Sequence, residues 1–212
     1  AGALDQLSRE VIRTKSDFGV VFDADGDRAF FVDNLGRRLE PAAAILLLIS
    51  RFRGALALPM NIGPFVREQL VASGHEVVDS RVGHYFMKKL LKEKKMAFAA
   101  EQSGHYYFRH FFNLDSGILA AIEFINAVSE LKVSLSAWVD QLPPHWVSEE
   151  INFRVADKDA ALTKLKATYV QSAKKISELD GISMQFSDWW CNVRPSNTEN
   201  FLRLNLEANR ED

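Results

Sequence analysis

The sequence predicts an α/β protein, in which a doubly wound, mixed or parallel α/β domain is followed by a small α+β C-terminal domain. From about residue 39, short apolar runs of strand length alternate with segments of helical periodicity. The pair Pro143-Pro144 interrupts this pattern, because adjacent prolines stop helices and favour extended backbone. Beyond the prolines, one helical segment lies among several strand-like runs. We therefore predict domains at residues 39–144 and 145–212, and interpret residues 1–38 as the end of another domain.

The segment 1–38 is predicted to contain a helix and a pair of strands. Residues 4–15 have helical character, whereas 17–22 and 28–33 are rich in Val and Phe, which favour strands. The residues that join the two strands read DADGD, and Asn34-Leu35-Gly36 supplies turn chemistry after the second strand. This arrangement predicts an acidic loop between two strands.

Helices and strands alternate through the segment 39–144. The predicted helices are 42–52, 64–73 and 84–95, and the predicted strands are 55–59, 76–78 and 96–100. A later helix is predicted from one apolar face with spacings of three and four, formed by Ile118, Ile122, Ile125 and Val128. Because ligands of open α/β sheets bind beyond the carboxyl ends of the strands, we expect a site in the loops after Pro59, Asp79 and Ala100.

The C-terminal segment begins with a predicted strand at 151–155 and ends with predicted strands at 182–186, 189–194 and 201–206. Between them, a single helix face is predicted from Leu162, Leu165, Tyr169, Ala173 and Ile176. One helix against several strands is typical of a small α+β domain.

Composition and charge exclude several classes of protein. The 212 residues contain 26 Lys and Arg against 28 Asp and Glu, so no basic surplus favours nucleic acid as a partner. The longest apolar stretch, residues 42–49, is far shorter than the roughly 20 residues that cross a bilayer. Cys191 is the only cysteine, which excludes an internal disulfide, and we expect no secretory signal. We expect a cytoplasmic protein that binds neither nucleic acid nor membranes.

The acidic loop is the first candidate site. Asp23, Asp25 and Asp27 alternate within it, and carboxylates held together repel one another unless a cation lies between them. Hard oxygen ligands suit Mg²⁺ or Ca²⁺. An EF-hand is excluded, because its sixth and twelfth positions are Gly and Glu, whereas here they are Arg28 and Asn34. A polar hairpin turn and the Asp-x-Asp-Gly loop of a haloacid-dehalogenase-type phosphatase remain alternatives.

Two further candidate sites follow predicted strands. After Ala100, the side chains of Glu101, Ser103 and His105 offer an acceptor, a hydroxyl and an imidazole, which suit a polyhydroxylated ligand. Gly83 and His84 lie near a predicted helix N-terminus, where anions bind favourably. A structural histidine and a simple helix-capping turn are the respective alternatives.

A fourth candidate site lies between the last two predicted strands, in the segment RPSNTE. Arg194 can bind a phosphate with its forked guanidinium group. Neutral donors for the same phosphate are offered by Ser196, Asn197 and Thr198. An ordinary hairpin loop is the alternative, since this composition also favours turns.

Taken in this order, the loops resemble those of the α-D-phosphohexomutase superfamily, and most closely its phosphomannomutase/phosphoglucomutase branch. DADGDR is similar to the family's metal loop DGDGDR, AEQSGH to its sugar loop GE-x-SGH, and RPSNTE to its phosphate loop R-x-SNTEP. The resemblance covers essentially the whole chain, from the end of the family's second domain through its third and most of its fourth, whose final helix is expected beyond residue 212. The departures are Ala24, Ala100 and Asn200, none of which removes a ligand.

The resemblance implies roles for individual residues. The Mg²⁺ ligands would be Asp23, Asp25 and Asp27. The catalytic residues would be Arg28 beside the transferred phosphoryl group, and His105 and His84 as candidates for proton transfer. The substrate-binding residues would be Glu101, Ser103, His105, Arg194, Ser196, Asn197 and Thr198.

The reaction implied by the resemblance is reversible phosphoryl transfer between the 1- and 6-positions of a hexose phosphate, through a hexose 1,6-bisphosphate. The family's phosphoserine loop, Thr-x-Ser-His-Asn-Pro, does not occur in the 212 residues. We therefore expect a mutase fragment that needs the N-terminal domains of the same protein and is inactive alone. A sugar-phosphate binding module and the phosphatase remain alternatives, and the motifs do not distinguish mannose from glucose.

Overall fold

The N-terminal segment is a helix packed against a hairpin, as predicted. The computed structural model describes residues 2–196 and 199–209. Helix α1 (Gly2–Thr14) precedes strands β1 (Phe18–Phe22) and β2 (Ala29–Asp33), which pair in antiparallel register. This register leaves residues 23–28, the predicted acidic loop, as the connection between the strands.

A mixed sheet forms the centre of the segment 39–144. Its strands are β3 (Leu56–Pro59), β4 (Val77–Ser80), β5 (Phe98–Ala100), β6 (Tyr106–Phe108) and β7 (Leu114–Asp115). Their order is β4-β3-β5-β6-β7, in which β3 runs parallel to β4 and β5, whereas β6 and β7 are antiparallel additions. The first three strands confirm the sequence prediction. Strand β6 lies in the segment expected to be the loop after Ala100, where residues 106–108 instead fold back to pair with β5.

The helices of this segment lie on both faces of the sheet. They are α2 (Pro41–Ile49), α3 (Pro64–Ala72), α4 (His84–Lys94), α5 (Gly117–Ser129) and the short α6 (Leu135–Val139). Pro64 occupies the first turn of α3 and Gly74, at φ +84°, follows its end, as the sequence predicts. Among the described residues, no helix combines the length and the apolar composition that crossing a bilayer requires.

Helix α5 confirms the predicted helix but corrects its orientation. Ile118, Ile122 and Ile125 are about half exposed, whereas Phe124 is fully buried. The buried face is otherwise formed by small residues, which are Gly117, Ala120, Ala121 and Ala127. Small side chains let α5 approach the hairpin closely enough for Phe124 to stack on Phe31, with ring centroids 3.8 Å apart. Close packing, rather than the number of large side chains, therefore decides which face is buried.

The C-terminal segment is an antiparallel sheet with one flanking helix, as predicted. Its elements are β8 (Trp146–Val147), β9 (Ile151–Arg154), α7 (Lys158–Tyr169), β10 (Lys175–Ser177), β11 (Ile182–Gln185), β12 (Trp189–Pro195) and β13 (Phe201–Ala208). The strand order is β10-β11-β12-β13-β8, and β9 also pairs with β13. The helix is shorter than predicted, since it ends at Tyr169 and Ile176 belongs to β10. Ile176 nevertheless packs on the same core as Leu162 of α7, and this shared core accounts for the misleading periodicity.

Candidate functional site

The carboxylates of the acidic loop converge on one point. One carboxylate oxygen from each of Asp23, Asp25 and Asp27 lies within 4.8 Å of the others. The Oδ1 atom of Asp27 is buried and has no hydrogen-bond partner among the described residues. Burial and, to a smaller extent, the adjacent Asp23 carboxyl raise the pKa of Asp27. The loop therefore concentrates negative charge that a cation would stabilise.

Arg28 partly offsets this charge from within the loop. Its Nε lies 2.8 Å from Oδ2 of Asp23 and 3.8 Å from Oδ1 of Asp27. Its backbone N–H also donates to Oδ1 of Asp23, at 3.2 Å. The side chain remains about half exposed, so it can reach an anion placed beside the carboxylates.

Glycine backbone holds the acidic loop against its neighbours. The N–H of Ala29 donates to the carbonyl of Gly104 at 3.1 Å, and the N–H of Gly117 donates to the carbonyl of Gly26 at 3.1 Å. A Cβ at Gly117 would lie 2.5 Å from the carbonyl oxygen of Arg28. Only glycine therefore permits this approach, which fixes the acidic loop between the loop after β5 and the start of α5.

Glu101 anchors the loop after β5. It is buried, its Oε1 accepts from the N–H of Gly83 at 3.0 Å, and its Oε2 accepts from the hydroxyl of Tyr107 at 2.5 Å. Both carboxylate oxygens are thus engaged by the protein, so Glu101 ties the loop after β5 to the loop after β4. Sequence reasoning missed Tyr107, which lies beside Glu101 because β6 folds back on β5.

His105 lies between Ser103 and the acidic loop. Its Nδ1 is 2.8 Å from the Ser103 hydroxyl, and its Nε2 is 3.6 Å from Oδ2 of Asp27. Burial lowers the pKa of His105, and the neighbouring His84 lowers it further. The imidazole is therefore largely neutral near pH 7, with one nitrogen held by a hydroxyl and the other facing a carboxylate.

His84 brings the loop after β4 to the same place. It opens α4 directly after Gly83, which has φ +126°, and its ring centroid lies 4.2 Å from that of His105. Its Nδ1 is 3.2 Å from Oδ2 of Asp115, whose Oδ1 forms an ion pair with Nζ of Lys88 at 2.8 Å. Sequence reasoning missed Asp115 and Lys88. Lys88 lies one helical turn after His84, and this spacing is the signal that could have identified it.

The loop after Pro59 does not join this cluster. Gly63, which ends that loop, lies instead against the carboxylate of Glu207. The loops after Asp79 and Ala100 lie together, as the ring contact of His84 and His105 shows, and a ligand site there stays a prediction. The acidic loop, which connects the two strands of the hairpin, lies beside the loops after Asp79 and Ala100.

Arg194 lies in a second polar cluster, at the end of β12. It stands opposite Arg203 of β13, and Glu150 binds both guanidinium groups, at 3.1 Å and 2.9 Å. Lys158 donates to the carbonyl of Ser196 at 3.0 Å. Asn197 and Thr198 lie outside the described residues.

This second cluster combines three cations with one carboxylate. The Nε atoms of Arg194 and Arg203 are buried, and each is without a hydrogen-bond partner in the described part of the chain. Sequence reasoning missed Arg203, Lys158 and Glu150, which come from other elements. Arg203 stands beside Arg194 only through the register in which β12 and β13 pair, and no local pattern specifies that register.

Asp180 connects the two clusters. Its Oδ2 accepts from the N–H of Val82 at 3.0 Å, which fixes the loop that leads to His84. The next residue, Gly181, packs so closely that a Cβ would lie 2.6 Å from Cα of Arg194. One tight turn therefore links the strand of the predicted phosphate loop to the loop after β4.

Two family models match successive parts of the chain. The model described as phosphoglucomutase/phosphomannomutase, alpha/beta/alpha domain III, matches residues 47–146. The model of the same family's C-terminal domain matches residues 150–212.

Named relatives match nearly the whole chain. The phosphomannomutase of Methanocaldococcus jannaschii is 37% identical over 98% of this chain and 47% of the relative. That of Salmonella typhimurium is 34% identical over 96% of this chain and 46% of the relative. A solved phosphoglucomutase/phosphomannomutase family protein from Burkholderia thailandensis superposes with a TM-score of 0.87 at 24% identity, over 99% of this chain and 46% of that one.

The chain thus spans about half the length of the curated relatives it matches. The two family models follow one another along the sequence and together cover most of the 212 residues. The chain belongs to the phosphoglucomutase/phosphomannomutase family.

Proposed function

We propose that this chain supplies the metal-, sugar- and phosphate-binding loops of a hexose-phosphate mutase. The observation that carries the proposal is the meeting of Asp27, Ser103 and His105, in which His105 contacts the other two at 3.6 Å and 2.8 Å. A carboxylate cluster, a hydroxyl and a neutral imidazole are the groups needed to bind a sugar hydroxyl beside a moving phosphoryl group. The substrate would be mannose or glucose phosphate, and the intermediate a hexose 1,6-bisphosphate.

The aspartate cluster fits Mg²⁺. All of its donors are hard carboxylate oxygens, and the unpartnered Oδ1 of Asp27 is available as a ligand. We propose Asp23, Asp25 and Asp27 as the ligands. Bound there, Mg²⁺ would supply positive charge that offsets the negative charge of the transferred phosphoryl group. Arg28, at the edge of the same cluster, would hold a phosphoryl oxygen.

His105 is proposed to accept the proton of the attacking sugar hydroxyl. Its lowered pKa leaves it neutral near pH 7, and in the tautomer whose Nδ1–H donates to the Ser103 hydroxyl Nε2 would be free for the proton. The carboxylate of Asp27 would stabilise the imidazolium that forms. His84 is exposed beside it and would contact the sugar rather than receive this proton.

The cluster around Arg194 is proposed to bind the phosphate that is not transferred. Its net positive charge supports this role, and its guanidinium groups suit a phosphate. A phosphate site separate from the metal site would let the sugar bind in either of two orientations, so that each phosphate in turn reaches the metal. The serine that carries the phosphoryl group would lie outside the 212 residues. We also propose a cytoplasmic location, since the single cysteine is a free, buried thiol.

Calorimetric titration of the chain with mannose 6-phosphate and glucose 6-phosphate, in the presence of Mg²⁺, tests the binding roles. We expect saturable binding that Arg194→Ala weakens by about 10-fold or more, because a charged hydrogen bond contributes roughly 1.5–3 kcal/mol. The matched control is Arg53→Ala, which removes an exposed arginine elsewhere. Equal affinities of Arg194→Ala and the unchanged chain would contradict the phosphate site.

A second measurement distinguishes a mutase from a binding module. The chain is joined to the N-terminal half of the Methanocaldococcus jannaschii relative, and the conversion of mannose 1-phosphate to mannose 6-phosphate is followed. We expect activity that His105→Gln reduces strongly and His110→Gln, at an exposed position, leaves unchanged. Binding without any conversion by the joined protein would favour the binding module.

A further inference from the structure

Two imidazoles and a carboxylate meet beside the aspartate cluster. They belong to the start of α4, the loop after β5 and the end of β7, and one ligand atom from each of His84, His105 and Asp115 lies within 4.8 Å of the others. The His84 Nδ1 and Asp115 Oδ2 atoms are 3.2 Å apart. Two ligands of one tetrahedral Zn²⁺ are about 3.3 Å apart, so this separation suits a shared ion.

We propose that His84, His105 and Asp115 form a second divalent-metal site, which takes Zn²⁺ or Co²⁺ in preference to Mg²⁺. Imidazole nitrogens suit these borderline ions, whereas the all-carboxylate set of the acidic loop suits Mg²⁺. Three protein ligands leave a fourth position open to water, as in accessible zinc sites. The two sites are therefore neighbours that differ in ligand chemistry.

The buried carboxylate of Asp115 is the independent observation that points to an ion. Its side chain is only 7% exposed, and Oδ2 accepts no hydrogen bond from the described residues. An unsatisfied buried oxygen costs free energy, which a bound cation would recover. Lys88 binds the other oxygen at 2.8 Å and thereby turns Oδ2 toward His84.

A supporting contact also orients His105 as a ligand. Ser103 lies 2.8 Å from Nδ1, and in the tautomer whose Nδ1–H donates to this hydroxyl the lone pair of Nε2, which lies 3.6 Å from Oδ2 of Asp27, is available to a metal. Hydrogen bonds to the second ring nitrogen are typical of metal-binding histidines, because they fix the tautomer and the ring orientation. An ion at this site would take the nitrogen that the proposed function assigns to the proton, so Zn²⁺ bound here would exclude that proton transfer.

Titration of the purified chain with Co²⁺, followed by its visible d–d absorption, tests the site. We expect the intense bands of tetrahedral Co²⁺ to saturate at one equivalent, and the binding that these bands report to be at least about 10-fold weaker in His84→Gln and in Asp115→Asn. Asp25→Asn in the acidic loop and the exposed His110→Gln are the matched controls, and both should leave the tetrahedral Co²⁺ bands unchanged. Excess Mg²⁺ should not displace the Co²⁺.

The variants also identify the results that would contradict the proposal. Unchanged Co²⁺ binding in both His84→Gln and Asp115→Asn would overturn the proposal, as would loss of binding in Asp25→Asn alone. Far-ultraviolet circular dichroism verifies that each variant is folded. If Asp115→Asn does not fold, His84→Gln alone decides the test, because His84 is exposed and its substitution should not unfold the chain. The titration uses metal alone, so its result is independent of whether the chain binds sugar phosphates.

Discussion

The carboxylate of Glu207, in β13, accepts a hydrogen bond from the backbone N–H of Phe65, in the first turn of α3, at 2.7 Å. The contact joins the C-terminal sheet to the middle segment, and Glu207 is buried within it. A Cβ at Gly63 would overlap the carboxylate of Glu207. The absence of a side chain at Gly63 therefore creates the space that the carboxylate occupies.

The first prediction concerns the pH dependence of stability. Burial raises the pKa of Glu207 to about 7, although the hydrogen bond from Phe65 lowers it. Between the ordinary value of 4.5 and about 7, the folded state binds more protons than the unfolded state, so the free energy of unfolding falls as pH rises through this window. The fall attributable to Glu207 should be about 2–3 kcal/mol, and Glu207→Gln, which does not titrate, should remove it.

Urea denaturation of both proteins across this pH range provides the measurement. Glu149→Gln is the control, because it removes an exposed carboxylate and should leave the pH dependence unchanged. If the free energy of unfolding falls equally with pH in Glu207→Gln and in the unchanged chain, the titration of Glu207 does not cause the fall.

The second prediction is that Gly63→Ala is destabilising because of Glu207. Gly63 has φ −74°, which alanine adopts without strain, so the cost arises only from the contact. Displacing the bound carboxylate should cost about 1–3 kcal/mol in the free energy of unfolding. In a Glu207→Ala background the same substitution should cost much less. A double-mutant cycle by urea denaturation measures this difference, and equal costs in both backgrounds would contradict the prediction.

Elements that depend on neighbours in the chain could be predicted from the sequence. The hairpin, α3 and the last strands followed from strand-forming runs, Pro64 and Gly74, whose effects are local. The buried face of α5 could not be predicted, because Ile118 and Phe124 lie on different faces of the same helix. The choice between them depends on how closely the hairpin approaches.

The residues of the candidate site also divide into those that the local sequence indicates and those that depend on distant parts of the chain. Asp27 and His105 could be identified, because each belongs to a short segment dense in polar groups. Asp115 and Glu150 could not, because their partners, His84 and Arg194, are distant in the sequence and are brought near only by the sheets. Sequence reasoning thus found the residues within each loop and missed those that hold one loop to another.

The third prediction links Gly117 to metal binding. A Cβ at this position would lie 2.5 Å from the Arg28 carbonyl, and backbone cannot move aside as cheaply as a side chain can. Gly117→Ala should push the acidic loop away from α5 and weaken Mg²⁺ binding by about 10-fold. Calorimetric titration with Mg²⁺ measures the change. Gly2→Ala, where a Cβ meets nothing within 4 Å, is the control, and equal Mg²⁺ affinities in the two variants would contradict the prediction.

The fourth prediction is that Glu150 competes with phosphate for Arg194. Its carboxylate oxygens lie 3.1 Å from Arg194 and 2.9 Å from Arg203, in positions that a phosphate oxygen would otherwise take. Glu150→Gln should therefore tighten the binding of glucose 6-phosphate by about 3- to 10-fold, since removing a like charge favours an anion. Calorimetry on this variant provides the measurement, with Glu149→Gln as a control that removes the same charge from the adjacent exposed residue. Weaker binding in Glu150→Gln than in Glu149→Gln would mean instead that Glu150 holds the arginines in their binding orientation.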